Sequence, residues 1–226
     1  MATMKSCLKS GLLIAGIAAG SWLNADKARA QDEQYPATIT VAGGCFWCVE
    51  ADFEKVEGVG DVVSGFTGGD VENPTYRQVT GGGTGHYEAV EIPFDPDVVD
   101  RRQLYDLFFR SIDPTDDGGQ FCDRGPSYRT GIWVDDAEER EIAEAAKAAA
   151  EEELGQEIVT PIYDEAPFYL VDEYHQDYYK KDEIILTRRG PKSKANAYDF
   201  YREACRRDER IRELWGDDAP FLPSQA

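Results

Sequence analysis

The stretch ATITVAGGCFWCVEADF, residues 37–53, constrains the fold more than any other. Residues 37–44 form a β-prone apolar run closed by two glycines and read as a buried strand. Residues 45–56 follow at once and read as a helix, with acids toward its start. A strand that passes straight into a helix stacks helix on sheet, which places the chain in a layered class.

The rest of the chain keeps that alternation. Residues 58–69 read as a strand closed by a glycine turn. Residues 71–86 read as a Pro- and Gly-rich loop with a helical turn around Tyr76, and residues 87–96 as an alternating strand stopped by proline. Residues 100–112 place Leu104, Leu107, Phe108 and Ile112 at helical spacing behind an Asp cap. Residues 113–127 are polar and rich in Gly and Pro, an irregular loop of the length that often carries function. A strand at 128–134, a helix at 137–155 ended by Gly155 at C′, and an edge strand around Pro161 come next. Residues 172–182 and 197–216 read as helical. No repeat or interdomain linker interrupts this order. The expectation is α/β of the α+β type. It is one domain over residues 31–216 with a central mixed sheet, flanking helices and long catalytic loops, and a loose tail at 217–226.

Residues 1–30 stand apart. Lys5 and Lys9 precede a short apolar run at 11–20, and Ala28-Arg29-Ala30 forms a small-x-small site. That is the pattern of a cleaved signal peptide, and the run is well short of the roughly 20 residues that span a bilayer. The mature chain is expected to be exported, to the periplasm or outside. With no second apolar run, it is expected to make no stable membrane association. The net charge is −20, and losing Lys5, Lys9, Asp26, Lys27 and Arg29 makes it more negative. Such a surface repels phosphate backbones, so nucleic acid is excluded as a partner.

Four cysteines remain: Cys45, Cys48, Cys122 and Cys205. They are too sparse for a disulfide framework. No second Cys-x-x-Cys and no neighbouring Cys/His pair completes a zinc site, so no metal is expected. Cys45 stands where the strand ends and the helix begins. Free backbone N–H groups and the positive end of the helix dipole favour its thiolate, the nucleophilic form. Phe46 and Trp47 beside it can wall a small apolar group such as a methyl.

Five motifs in series, GGCFWCVE, NPTYRQV, TGHYEAV, GQFCDRGPSYRTGI and YHQDYY, resemble those of the peptide methionine sulfoxide reductase A family, over about residues 39–215. The resemblance implies reduction of methionine S-sulfoxide, free or in oxidised proteins, as repair after oxidation. It implies no metal or flavin, and an external thioredoxin-like dithiol as reductant. Position by position it implies Cys45 as the nucleophile and Glu88 as proton donor to the sulfoxide oxygen. Tyr76 and Tyr128 become phenols bonded to that oxygen, Asp123 a polar member of the same network, and Phe46 and Trp47 the methyl pocket. The chemistry suits these types: a sulfoxide is a poor electrophile until its oxygen is protonated, and a buried carboxyl can keep its proton at neutral pH.

The chain departs from the usual family pattern at Cys48, where many relatives have glycine and resolve with cysteines in a glycine-rich C-terminal tail. Cys205 lies in that region and is the first candidate to resolve Cys45, with Arg206 and Arg207 favouring its thiolate. Cys48 lies one helical turn from Cys45, about 5–6 Å between Cβ atoms. Cys122, beside Asp123, is the third candidate, its plainer reading being a buried free thiol. Two rivals stay open: a thiol–disulfide oxidoreductase using Cys45 and Cys48, and an acidic binding module whose cysteine pair is structural or holds zinc. The enzyme is expected to act as a monomer.

Overall fold

The computed structural model describes residues 33–223. The expected leader peptide lies outside them. Residues 35–223 build one α/β unit around a six-stranded mixed sheet, in the order β7-β6-β1-β3-β2-β8. Its strands are β1 (Ala37–Gly43), β2 (Val63–Thr67), β3 (Tyr87–Phe94), β6 (Thr130–Val134), β7 (Ile162–Asp164) and β8 (Tyr169–Leu170). Between β3 and β6 lies a small hairpin of β4 (Gly119–Gln120) and β5 (Asp123–Arg124). Only β6 and β7 run parallel; every other pair is antiparallel.

Register explains which side chains reach the core. Side chains two apart share a sheet face. On β1, Ile39 and Val41 point to one side, opposite Ile92 and Val90 of β3. Ile132 of β6 faces Val41, and Phe66 of β2 faces Glu88. Glu88, Val90, Ile92 and Phe94 therefore form one row, and all are buried. Glu88 is the end of an otherwise apolar row, which is why a carboxyl sits at core depth. Tyr87 and Ala89 take the other face, with Ala42 and Trp133.

Three helices cover the apolar face. They are α1 (Phe46–Phe53), α3 (Arg101–Arg110) and α4 (Ala137–Leu154). Asp100 caps α3 through the Gln103 N–H (2.8 Å), as its sequence position predicts. The buried alanines of α4 (Ala143, Ala146, Ala150) let it lie close against α3, and Gly155 ends it in the left-handed region at φ 64°. Among the described residues no helix is long and apolar enough to cross a membrane.

Several elements differ from their sequence reading. The segment around Tyr76 is a true helix, α2 (Tyr76–Thr80), capped by Thr75. Residues 172–182 are turns and one 3-10 stretch (Tyr178–Lys180) and not a helix. An unforeseen hairpin, β9 (Ile184–Thr187) and β10 (Gly190–Ser193), stands outside the main sheet. The single terminal helix divides into α5 (Lys194–Ala204) and α6 (Arg207–Trp215), broken where Arg206 turns left-handed at φ 56°. The segment after α6 packs where a loose tail was expected: Ala219 is buried, and Phe221 meets Phe53 at 5.6 Å between rings.

Candidate active site

Cys45 is the N-cap of α1, and the chain reaches it through a tight glycine turn. Gly44 takes φ +86°, and a Cβ there would lie 2.5 Å from the Cβ of Gln120. Only glycine lets β1 pass so close beneath the 113–127 loop. No side chain caps α1. The first-turn N–H of Phe46 instead donates to Glu88 Oε2 at 3.3 Å. The acids of α1, expected toward its start, lie beyond the first turn and are buried. Asp52 pairs with Arg202 at 3.0 Å, while Glu50 accepts from the Asp177 N–H at 2.7 Å and from the Ser64 hydroxyl at 3.3 Å.

The Cys48 N–H donates to the Cys45 carbonyl at 3.0 Å, so the two residues share the first turn of α1. Interaction with the Cys45 thiol draws the Cys48 thiol down to about 7, helped by the positive charges of Arg207 and Arg202 against the cost of burial. The same interaction, burial and the charges of Cys48, Glu88 and Asp123 push Cys45 upward. Physically, the pair gives up its first proton near neutrality and holds its second, so one anion is shared across two sulfurs. Placement of Cys45 at a helix N-terminus draws that anion toward it.

Glu88 is buried, and burial pushes its carboxyl well above the usual range, against the N–H of Phe46. Its Oε1 has no hydrogen-bond partner. Tyr76 and Tyr128 approach each other and Glu88 closely enough to influence each other's protons. Burial pushes both phenols upward, so they remain donors, and it raises the Asp123 carboxyl too. Phe46 is buried. Trp47 stacks on Tyr178 (3.7 Å between rings) and on His175 (5.6 Å), and His175 in turn stacks on Tyr76 (4.0 Å). Burial lowers the His175 imidazole, which stays neutral, with Nδ1 unpartnered. His175 and Tyr178 were not singled out in advance; their signal was the YHQDYY stretch, where two rings three apart meet one neighbour.

Cys122 and Cys205 are joined in a disulfide, with Cα atoms 4.9 Å apart. This corrects one expectation: Cys122 is exposed and bonded, not a buried free thiol. Cys205, the first candidate to resolve Cys45, is bonded to Cys122 here, and Cys48 lies one helical turn from Cys45. The arginines also act differently. Arg206 is exposed and pairs with Glu209. Arg207 is buried, donates to Ser111 O (2.7 Å) and Gly43 O (3.4 Å), covers the Phe121 ring at 4.6 Å, and favours the Cys48 thiolate. All four cysteines line one cleft of about 470 Å³, together with Trp47, Tyr76 and Asp123.

Residues 37–208 match the family model described as peptide methionine sulfoxide reductase. The peptide methionine sulfoxide reductase MsrA of Bacillus pumilus is 54% identical over 151 residues, covering 66% of this chain and 85% of the relative. The peptide methionine sulfoxide reductase MsrA/MsrB of Vibrio cholerae is 44% identical over 187 residues, 81% of this chain; the chain spans only 46% of that relative's length. The crystal structure of Mxr1 from Saccharomyces cerevisiae in reduced form superposes with a TM-score of 0.59 at 30% identity, over 63% of this chain and 83% of that one. Cys45, Trp47, Tyr76 and Asp123 line this cleft, Glu88, Phe46 and Tyr128 lie outside its lining, and the match runs through all of them: the chain belongs to the peptide methionine sulfoxide reductase family.

Proposed function

We propose that the chain reduces methionine S-sulfoxide, free or in oxidised proteins, to methionine, with Cys45 as nucleophile. The observation that carries this is Glu88: a core-depth carboxyl, held protonated by burial, with one oxygen unpartnered beside a reactive thiol pair. A plain thiol–disulfide oxidoreductase has no use for it. The Cys45 thiolate attacks the sulfoxide sulfur while Glu88 gives its proton to the oxygen and Tyr76 and Tyr128 steady the charge there. Asp123 belongs to the same polar network, and Phe46 and Trp47 enclose the methyl. The sulfoxide S–O bond breaks and its oxygen leaves as water. Water then adds to the Cys45 sulfur and the new S–S bond breaks. Methionine leaves with two more electrons, while Cys45, two electrons poorer, becomes a sulfenic acid.

The Cys48 thiol then condenses with that sulfenic acid, giving a Cys45–Cys48 disulfide and water. The placing of both residues on the first turn of α1, in one cleft, supports Cys48 in this role, and the bond between Cys122 and Cys205 withholds both of those sulfurs until they are reduced. An external dithiol of the thioredoxin type restores the pair by exchange, with no metal or flavin. The signal-peptide pattern supports export to the periplasm or outside, with the enzyme acting there as a monomer that binds neither nucleic acid nor membrane.

Disulfide mapping after one equivalent of methionine S-sulfoxide, without reductant, tests the assignment. Wild type should release methionine and link Cys45 to Cys48. Cys48→Ser should release methionine and leave a trappable sulfenic acid on Cys45. A Cys45–Cys205 link in wild type would return the resolving role to Cys205.

A further inference from the structure

Beside the cleft the molecule reverses its charge. The chain carries 24 basic and 44 acidic residues, yet residues 184–193 hold three basic residues and no acid. These residues form the β9–β10 hairpin, whose strands pair only with each other. Its two-residue turn is Arg188 and Arg189, closed by Gly190 at φ +96°. The neighbouring lysines are neutralised: Lys180 by Glu54, Lys181 by Glu173, Lys194 by Glu183. Arg188, Arg189 and Lys192 have no carboxylate partner among the described residues. Arg189 and Lys192 rest over Phe200, at 5.4 and 5.7 Å.

The hairpin is also apolar where it meets solvent. Leu186 is 85% exposed and Ile184 67%. Ile185 and Leu186 line the same cleft as Cys45 and Trp47. Charged turns and Pro191 are ordinary means of blunting a free strand edge. Blunting alone does not account for two large aliphatic side chains left in water at the mouth of a catalytic cleft. A free edge with apolar side chains and flanking charge is how extended peptides are held. A surface of net −20 otherwise repels acidic polypeptides, so a local positive rim decides which chains approach.

We infer that the β9–β10 hairpin is a docking rim for extended acidic polypeptide segments that carry methionine sulfoxide. The oxidised side chain enters the cleft, aliphatic neighbours lie on Ile184 and Leu186, and carboxylates meet Arg188, Arg189 and Lys192. This rests on the reductase reading above.

The test compares the full chain on three substrates with dithiothreitol as reductant: free methionine S-sulfoxide, and two short peptides with one central methionine S-sulfoxide flanked by Asp/Glu or by Lys/Arg. Wild type should favour the acidic peptide in kcat/KM by roughly tenfold at low salt, with the gap closing as salt screens it. The triple variant Arg188→Glu, Arg189→Glu, Lys192→Glu should invert the preference through KM and leave the free amino acid unaffected. Ile184→Ser should raise KM for both peptides and not for the free substrate. Equal use of both peptides by wild type, or a preference that survives the triple variant, overturns the inference. So does a defect of that variant seen only with a protein dithiol as reductant, which would assign the hairpin to the reductant. Failure of wild type to reduce the free sulfoxide would instead remove the reductase reading beneath it.

Discussion

Glu88 and the Cys45–Cys48 pair hold protons in opposed ways, and catalysis needs both. The pair must have lost one proton; Glu88 must still have its own. Because Cys48 is drawn down to about 7, the shared anion forms as pH rises through neutrality. Because Glu88 is raised by burial, its donor survives there and is lost only at higher pH. Single-turnover methionine release, followed against pH, should rise through about pH 7 and fall on the alkaline side. Glu88→Gln should lower that rate by about 10²–10⁴ and remove the alkaline fall, with thiol–disulfide exchange intact. An alkaline limb that persists in the variant would place the titrating acid elsewhere. At this scale the nearness of Cys45, Glu88, Tyr76 and Tyr128 was legible, because the order of the motifs that hold them implies it. The partnering of cysteines was not. Whether Cys205 meets Cys45 or Cys122 depends on where a helix breaks, and no local pattern states that. The buried acids of α1 were missed for a like reason: their partners, Arg202, Ser64 and Asp177, are distant in sequence.

The active site hangs on one turn between two elements. β1 must end, reverse direction and start α1 while passing under Gln120 of the β4–β5 hairpin. Gly44→Ala would force a side chain into φ +86° and against that Cβ at 2.5 Å. The loss should be about 1–3 kcal/mol of stability, read as a lower midpoint in denaturant. A midpoint unchanged within error would show the turn to be slack. The strand–glycine–helix order was readable because apolar runs and glycines mark it. The C-terminal third was harder. Its break at Arg206 uses neither Gly nor Pro, the usual punctuation, and the β9–β10 turn is Arg-Arg where Asn-Gly or Asp-Gly would have signalled a hairpin. Residues 172–182 have helical-looking spacing, but stacking of His175 and Tyr178 on Trp47 sets their backbone instead.

Across the whole molecule, the Cys122–Cys205 bond closes a loop of 83 residues and ties the segment bearing Asp123 and Tyr128 to the junction of α5 and α6. A closed loop of that size restricts the unfolded chain by about 4 kcal/mol in the chain-entropy account. The double variant Cys122→Ser, Cys205→Ser should melt several degrees lower than the oxidised wild type and match it once wild type is reduced. Equal melting of oxidised wild type and variant would leave the bond without a stabilising role. Such a bond also explains why the loop, though rich in Gly and Pro, places its acid and phenol with fixed geometry.

Arg207 ties the reactivity of the thiols to a distant part of the chain. Its guanidinium reaches Gly43, Ser111 and Phe121 from the first residue of α6, far along the chain from Cys45 and Cys48. Contacts between such distant segments form late in folding, after the local turns and helices. Wherever α6 is undocked, Cys48 lacks one of the two cations that help lower its thiol, and its proton is held more firmly. Seating of the C-terminal helix thus adds to the reactivity of a pair more than 150 residues away, and full reactivity belongs to the finished fold.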